Sequence, residues 1–281
     1  MKISIITPVY NAVNTLEKTI LSVVNQEVTS ELEYILIDGG STDGSLEIIN
    51  RYLDQIDIFI SEKDQGVYDA MNKGLIRATG DIIGIINSDD WYNEGAIKIV
   101  EDFFRASQET SIVYSPIDNY FDGKYLNTFI PGRLDNLLFK FTINHPSCFV
   151  KKSVYERIGL FNLGYFIAAD YDFILRAYTS GVKFKYIKTP LVSYSLNGMS
   201  GKPINKFKQI RESWIVGSSI EQQLPNNLQA KRQKFYLGWI CKELFVFPAK
   251  YFIKPHKTKK IKIFLRQKLG GKLPSDSYGS W

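Results

Sequence analysis

Ile82-Ile83-Gly84-Ile85-Ile86-Asn87-Ser88-Asp89-Asp90 joins an unbroken apolar run to a polar turn that ends in two carboxylates. Five apolar residues without alternation read as a strand buried on both faces, the pattern of a parallel sheet covered by helices. Two adjacent carboxylates directly after such a strand stand at the rim of the sheet, where their charges need compensation. Oxygen donors of this kind suit Mg²⁺ or Mn²⁺, which take one or two carboxylates and complete their shell with substrate phosphates. The pair also reads as the N-cap of the helix that starts near Gly95, because aspartate is favoured at that position.

Working outward, the same grammar repeats. Ile3 to Ile6, Tyr34 to Ile37, Ile56 to Ile60 and Ile112 to Tyr114 are further apolar strands. Helical spacing predicts helices over Thr15 to Val24, Ser45 to Leu53, Val67 to Ala78 and Gly95 to Phe104. Repeated β-α-β units predict an α/β fold with a mainly parallel central sheet flanked by helices. Ligands of such sheets bind outside the carboxyl ends of the strands. Four segments qualify: Pro8-Val9-Tyr10-Asn11, Asp38-Gly39-Gly40-Ser41, Glu62-Lys63-Asp64 and Asn87-Ser88-Asp89-Asp90.

Beyond Tyr114 the pattern changes. Asp122-Gly123 marks a hairpin turn within Asp118 to Phe129. A strand is expected at Cys148-Phe149-Val150, a helix over Asp170 to Ser180, and a strand over Phe184 to Ile187. The organisation expected is a nucleotide-binding half over 1–115, a second half of the same domain over 116–202, and a basic amphipathic helical extension over 203–281.

Asp38-Gly39-Gly40-Ser41-Thr42-Asp43-Gly44 places glycines where a ligand can approach the backbone and a carboxylate that can accept from a base or ribose. It equally reads as a tight loop capping the next helix through Thr42 or Asp43. Asp170-Tyr171-Asp172 opens a helix; a carboxylate there serves as general base if it faces a cleft, or as a first-turn acid suited to the helix dipole. His145 precedes Pro146 and either lines the cleft or sits in a turn.

The chain of 281 residues carries a net charge of +6, but thirteen of its basic residues and only one acid, Glu243, fall between Lys231 and Lys272. The remainder, with 22 basic and 28 acidic residues, is net negative. The basic block points to an anionic membrane surface. It comes without a nucleic-acid recognition motif, so no nucleic-acid partner is expected. Aromatic and aliphatic residues interleave with the lysines, as in an interfacial helix, with breaks expected at Pro248 and Pro255. Cys148 and Cys241 follow no metal or redox spacing and fit a reducing compartment. The apolar start is too short for a signal peptide, and a cytoplasmic protein at the inner face of the membrane is the expectation.

Taken together, the segments resemble glycosyltransferase family 2, inverting enzymes of the GT-A fold, and look closest to members that assemble bacterial surface polysaccharides. The resemblance is carried by Ile5 to Asn11, the Asp38–Gly44 loop, Glu62-Lys63-Asp64-Gln65-Gly66-Val67-Tyr68-Asp69-Ala70-Met71-Asn72-Lys73-Gly74, Asn87-Ser88-Asp89-Asp90-Trp91 and Ala169-Asp170-Tyr171-Asp172-Phe173, in family order. It implies a hexosyl- or N-acetylhexosaminyl-transferase using a nucleotide-diphospho-sugar, with a UDP-sugar expected, and a glycan or lipid-linked acceptor. By that resemblance Pro8 and Tyr10 contact the base, Asp38 the base or ribose, and Asp64 belongs to the donor site. Asp89 approaches the ribose, Asp90 holds Mn²⁺ or Mg²⁺, and Asp170 is the base with Asp172 the runner-up; apart from the resemblance, His145 and Asp172 are candidates for the acceptor side. The chain departs from the family where Gly39 replaces an acid, where Met71 replaces an arginine for which Lys73 or Arg77 would substitute, and where Ala169 replaces the acid before Asp170. The alternatives are a sugar nucleotidyltransferase, whose Gly-rich phosphate loop is missing after the first strand, and a non-catalytic nucleotide-sugar-binding protein. No G-x-G-x-x-G supports a dehydrogenase.

Overall fold

The structure, a computed structural model, describes residues 1–198, 205–221 and 224–252. The chain begins β1 (Lys2–Val9), α1 (Leu16–Val24), β2 (Glu31–Asp38), α2 (Ser45–Asn50), β3 (Ile58–Ser61), α3 (Val67–Arg77), β4 (Ile82–Ile85), β5 (Trp91–Tyr92), α4 (Ala96–Ala106) and β6 (Ile112–Tyr114). It continues through the hairpin β7 (Ile117–Phe121) and β8 (Lys124–Phe129), then β9 (Phe149–Lys151), α5 (Lys152–Ile158), α6 (Ala169–Thr179), β10 (Phe184–Tyr186) and β11 (Val192–Ser195). Two further helices, α7 (Asn205–Ser218) and α8 (Asn226–Phe252), follow.

Seven strands form the central sheet in the order β10-β6-β9-β4-β1-β2-β3. All neighbours are parallel except β9, which inserts antiparallel between β4 and β6. The mixed α/β architecture expected from the apolar strands is the one observed. β1 and β2 run in register from Lys2 opposite Glu31 to Val9 opposite Asp38, so both strands end together at the rim. Ile3, Ile5, Ile6, Ile35, Leu36 and Ile37 have no more than traces of exposed surface, as strands covered on both faces require. β9 passes so close to β4 that a β-carbon at Gly84 would come within 2.6 Å of the Phe149 ring.

A smaller sheet, β5-β11-β7-β8, flanks the first. Its hairpin turns at Asp122 and Gly123, with φ of 48° and 72°, the left-handed pair that a two-residue hairpin needs. β5 and β11 were not legible in the sequence: β5 has two residues, and β11 pairs with β7 through a partner 75 residues away.

The chain forms two compact units. One is Met1–Phe129 with Ile143–Asn197, and the other is Ile130–Thr142 with the chain from Gly198 onward. In the second, α7 and α8 pack around Arg232, which is fully buried, lies over Trp214 and Tyr236, and pairs with Glu221 at 3.3 Å. The break expected at Pro248 does not occur, because α8 runs on to Phe252. A proline near a helix end removes one ladder bond and leaves the residues after it free to bond among themselves. The remainder of the expected basic extension, with Pro255, lies outside the described residues. No described helix is long and apolar enough to cross a membrane.

Candidate functional site

Two of the predicted rim loops are laced into one platform. The backbone N–H groups of Asn11, Ala12 and Val13 donate to Ser41 Oγ, Ser45 Oγ and Asp43 Oδ2 at 2.8, 2.8 and 3.0 Å. In return Asn11 Oδ1 accepts from the Thr42 N–H at 2.9 Å. Asn11 reaches this pairing from a left-handed backbone, φ 49°, a conformation asparagine tolerates better than most residues. Pro8 is buried at the end of β1, whereas Tyr10 projects from the loop with 64% of its surface exposed. Ser41, Ser45 and Asp43 were not singled out for this work; their spacing of two along the loop is the signal that could have found them.

Asp38 is fully buried and turned inward. Its carboxylate accepts from the N–H groups of Gly40 and Ser41 at 3.1 Å each and from the Ser61 hydroxyl at 2.7 Å. It therefore builds the loop around itself. The carboxylate that reaches this loop from outside is that of Asp64, which occupies the space a side chain at Gly39 would fill. Asp64 Oδ1 accepts from the Gly66 N–H at 2.9 Å, which fixes its approach. The acid absent at position 39 is thus matched by a carboxylate arriving from the loop after β3. Met71 is buried in the core and offers nothing to a ligand. Lys73 is held by Glu62 at 2.8 Å and Asp69 at 3.5 Å, while Arg77 is exposed.

The two carboxylates after β4 differ in exposure. Asp90 has no exposed surface. Its Oδ1 accepts from the Ser195 N–H at 2.8 Å and its Oδ2 from the Asn87 side-chain amide at 3.0 Å, while its carbonyl accepts from the Thr19 hydroxyl at 2.7 Å. Asp90 is not a helix cap either, since α4 starts after Gly95. Each Asp90 side-chain oxygen accepts one hydrogen bond and keeps further acceptor capacity, which is what the metal role expected of it would use. Asp89 is the half-buried carboxylate of the pair and donates or accepts no hydrogen bond with another described side chain. Burial raises both carboxyls above the usual range, and the charge of Asp89 raises Asp90 further, against the pull of Ser195 and Asn87. A nearby positive charge would ease the ionisation of both acids. Among the described residues no three His, Cys, Asp or Glu side chains gather into a metal cage. Two adjacent carboxylates suit Mg²⁺ or Mn²⁺ only where phosphate oxygens complete the shell.

Asp170 stands in the first turn of α6. Its Oδ1 accepts from the Tyr68 hydroxyl at 3.1 Å and from the Tyr171 N–H at 2.8 Å. Asp172, 8% exposed, is directed to Arg176, whose Nε donates to it at 2.9 Å. Arg176 also binds the carbonyls of Ile158 and Leu160, so Asp172 anchors the segment leading into α6. His145 is 7% exposed and meets the Phe161 ring edge-on at 5.5 Å. Burial pushes its pKa down to about 4, so the ring is neutral at pH 7. Asn72, in the second turn of α3, donates to the Phe161 carbonyl at 2.9 Å and accepts the Phe161 N–H at 3.0 Å. Tyr68 and Asn72 lie in a motif quoted above without a role for either. Their spacing of four on one helix was visible, but their partners, 102 and 89 residues away, were not.

Comparison with known proteins bears on this geometry. The profile of Glycosyl transferase family 2 matches residues 4–159. A PGL/p-HBAD biosynthesis glycosyltransferase of Mycobacterium bovis (strain BCG / Pasteur 1173P2) is 32% identical over 213 residues, 72% of this chain and 80% of that protein. Among solved structures, S. aureus TarS 1-349 in complex with UDP-GlcNAc aligns with a TM-score of 0.64 at 16% identity, over 92% of this chain and 77% of that one. The chain spans only 46% of the longer TarS structure. The mannosyltransferase PcManGT from Pyrobaculum calidifontis, in complex with GDP-Man and Mn2+, aligns with a TM-score of 0.66 at 16% identity, over 98% of this chain and 82% of that one. At such identities the structural likeness establishes the GT-A fold.

Proposed function

Because the chain belongs to glycosyl transferase family 2, we propose that it moves a hexosyl or N-acetylhexosaminyl group from a UDP-sugar, with inversion, to a hydroxyl of a glycan or lipid-linked acceptor in bacterial polysaccharide synthesis. The observation that carries this reading is the Tyr68–Asp170 hydrogen bond, which ties the carboxylate of α6 to the helix that follows the donor loop at Asp64.

In this reading Tyr10 lies against the base, Asp64 reads its edge over Gly39, and Pro8 shapes the turn beneath. Asp38 acts indirectly, by holding the loop, and Asp89 faces the diphosphate. A divalent cation bound there would neutralise charge growing on the leaving diphosphate. Asp170 takes the proton of the acceptor hydroxyl as its oxygen bonds to the anomeric carbon. The bond from that carbon to the diphosphate oxygen breaks on the opposite face, and nucleoside diphosphate leaves. His145, neutral and packed on Phe161, and Asp172, paired with Arg176, shape the acceptor side. The basic residues between Lys231 and Lys272 bring the protein to an anionic membrane surface at the inner face of the cell membrane, where lipid-linked acceptors are presented.

The test is a donor panel of UDP- and GDP-sugars with lipid-linked and free glycan acceptors. Release of nucleoside diphosphate with sugar transfer is expected, abolished by Asp170→Asn. Pyrophosphate release would instead indicate a nucleotidyltransferase, and binding without turnover a non-catalytic role. Co-sedimentation with anionic liposomes that weakens with salt is expected of the basic tail; equal binding to neutral liposomes would count against it.

A further inference from the structure

We propose that Tyr68 and Asn72, four residues apart on one face of α3, are positioning residues that set the Asp170 carboxylate for proton abstraction; this rests on the reading of Asp170 as the base.

The argument starts from spacing. Residues i and i+4 of a helix lie one above the other, so Tyr68 and Asn72 project together toward α6. The Tyr68 hydroxyl donates to Asp170 Oδ1 at 3.1 Å. The tyrosine ring, 8% exposed, lies 5.7 Å from that of Phe161. Asn72 grips the backbone of the same Phe161 with a pair of opposed hydrogen bonds, 2.9 and 3.0 Å. Phe161 in turn packs on Phe173 of α6 at 5.3 Å and meets Tyr155 of α5 at 6.2 Å. Asn72 therefore fixes the surface on which Tyr68 rests, and Tyr68 fixes one oxygen of the carboxylate.

The platform beneath is stiff. α3 is held against β1 where Gly74 meets Ile6, too closely for any side chain at 74. Lys73 ties the same turn to Glu62 at the rim. A hydrogen bond from a buried neutral phenol to a carboxylate favours the ionised, proton-accepting form and chooses its rotamer. Pre-set geometry of this kind acts on the rate of the chemical step more than on donor affinity. A buried tyrosine that merely satisfies its hydroxyl would shift the Asp170 titration on removal of that hydroxyl but leave kcat unchanged.

The experiment compares the full chain with its Tyr68→Phe, Asn72→Ala and Asp170→Asn variants. Carboxyl ¹³C NMR on aspartate-labelled protein identifies the Asp170 signal by its loss in Asp170→Asn. Tyr68→Phe, which keeps the ring, is expected to move the Asp170 titration to higher pH. The Tyr171 N–H and the Cys148 thiol are among the groups that share the neighbourhood, and Cys148→Ala serves as the control for the latter. With UDP-GlcNAc and GDP-Man as probes, kcat for nucleoside diphosphate release is expected to fall about tenfold in Tyr68→Phe, with KM for the donor unchanged. Asn72→Ala is expected to move both readouts in the same direction by less. A kcat unmoved by Tyr68→Phe, whether or not the Asp170 titration moves, would overturn the proposal while leaving the base assignment intact. Full turnover by Asp170→Asn would instead sink the base assignment, and the NMR titration would still report whether Tyr68 holds the carboxylate.

Discussion

The backbone N–H of Ser195 donates to Asp90 Oδ1 at 2.8 Å, across 105 residues of chain. One hydrogen bond thus joins the turn after β4 to the end of β11 and closes Asp90 off from solvent. The adjacent Asp89 is half-buried and open to one side.

The two aspartates should therefore separate on mutation. Asp89→Asn is expected to abolish Mn²⁺-dependent binding of nucleoside diphosphate in calorimetry with little change in thermal stability. Asp90→Ala orphans the Ser195 N–H and the Asn87 amide, and should cost about 1–3 kcal/mol in denaturant unfolding. The opposite pattern would return the metal to Asp90.

Gly39 should tolerate no side chain without loss of donor binding. Gly39→Ala displaces the Asp64 carboxylate and is expected to weaken nucleotide binding roughly tenfold, the equivalent of one good polar contact. Adding Asp64→Gly removes the collision but not the defect, because the carboxylate is then missing. Recovery of wild-type affinity in the double variant, measured by calorimetry, would show that Asp64 does not touch the ligand.

His145 predicts a specific pH dependence. Burial lowers its pKa to about 4 from an ordinary value near 6.5. The unfolded chain therefore binds more protons between these values, and stability rises with pH across that window. The contribution of neutral His145 is complete above about pH 6.5 and is lost as pH falls through about 4. His145→Phe should flatten this part of the stability curve in urea titrations run from pH 4 to 7, and an unchanged slope would contradict the burial argument.

Gly84→Ala tests the antiparallel insertion of β9. The added methyl would meet Phe149 at 2.6 Å and Ile5 at 2.9 Å. Overpacking of this kind should destabilise by about 1–3 kcal/mol, readable as a lower melting temperature. Since the strain lies below the rim, donor affinity at low temperature should survive.

Several features were legible from the chain alone. The apolar runs at 3–6, 34–37, 82–86 and 112–114 announced buried parallel strands, because apolar runs without alternation have nowhere else to go. Asp122-Gly123 specified its hairpin by local backbone preference. The four rim loops followed from strand ends, and family order among the motifs singled out Asp64, Asp89 and Asp170. All of these are properties of short stretches or of their order.

What only the tertiary structure decided is which partners each carboxylate meets. Asp38, Asp90, Asp172 and Asp170 look alike in sequence, yet they bond to Ser61, Ser195, Arg176 and Tyr68. The partners of an ionised group, and hence its availability to a ligand, depend on donors brought from distant segments. Strand and turn propensities act over a few residues; solvation and hydrogen bonding of a carboxylate are set by whatever the completed fold packs around it.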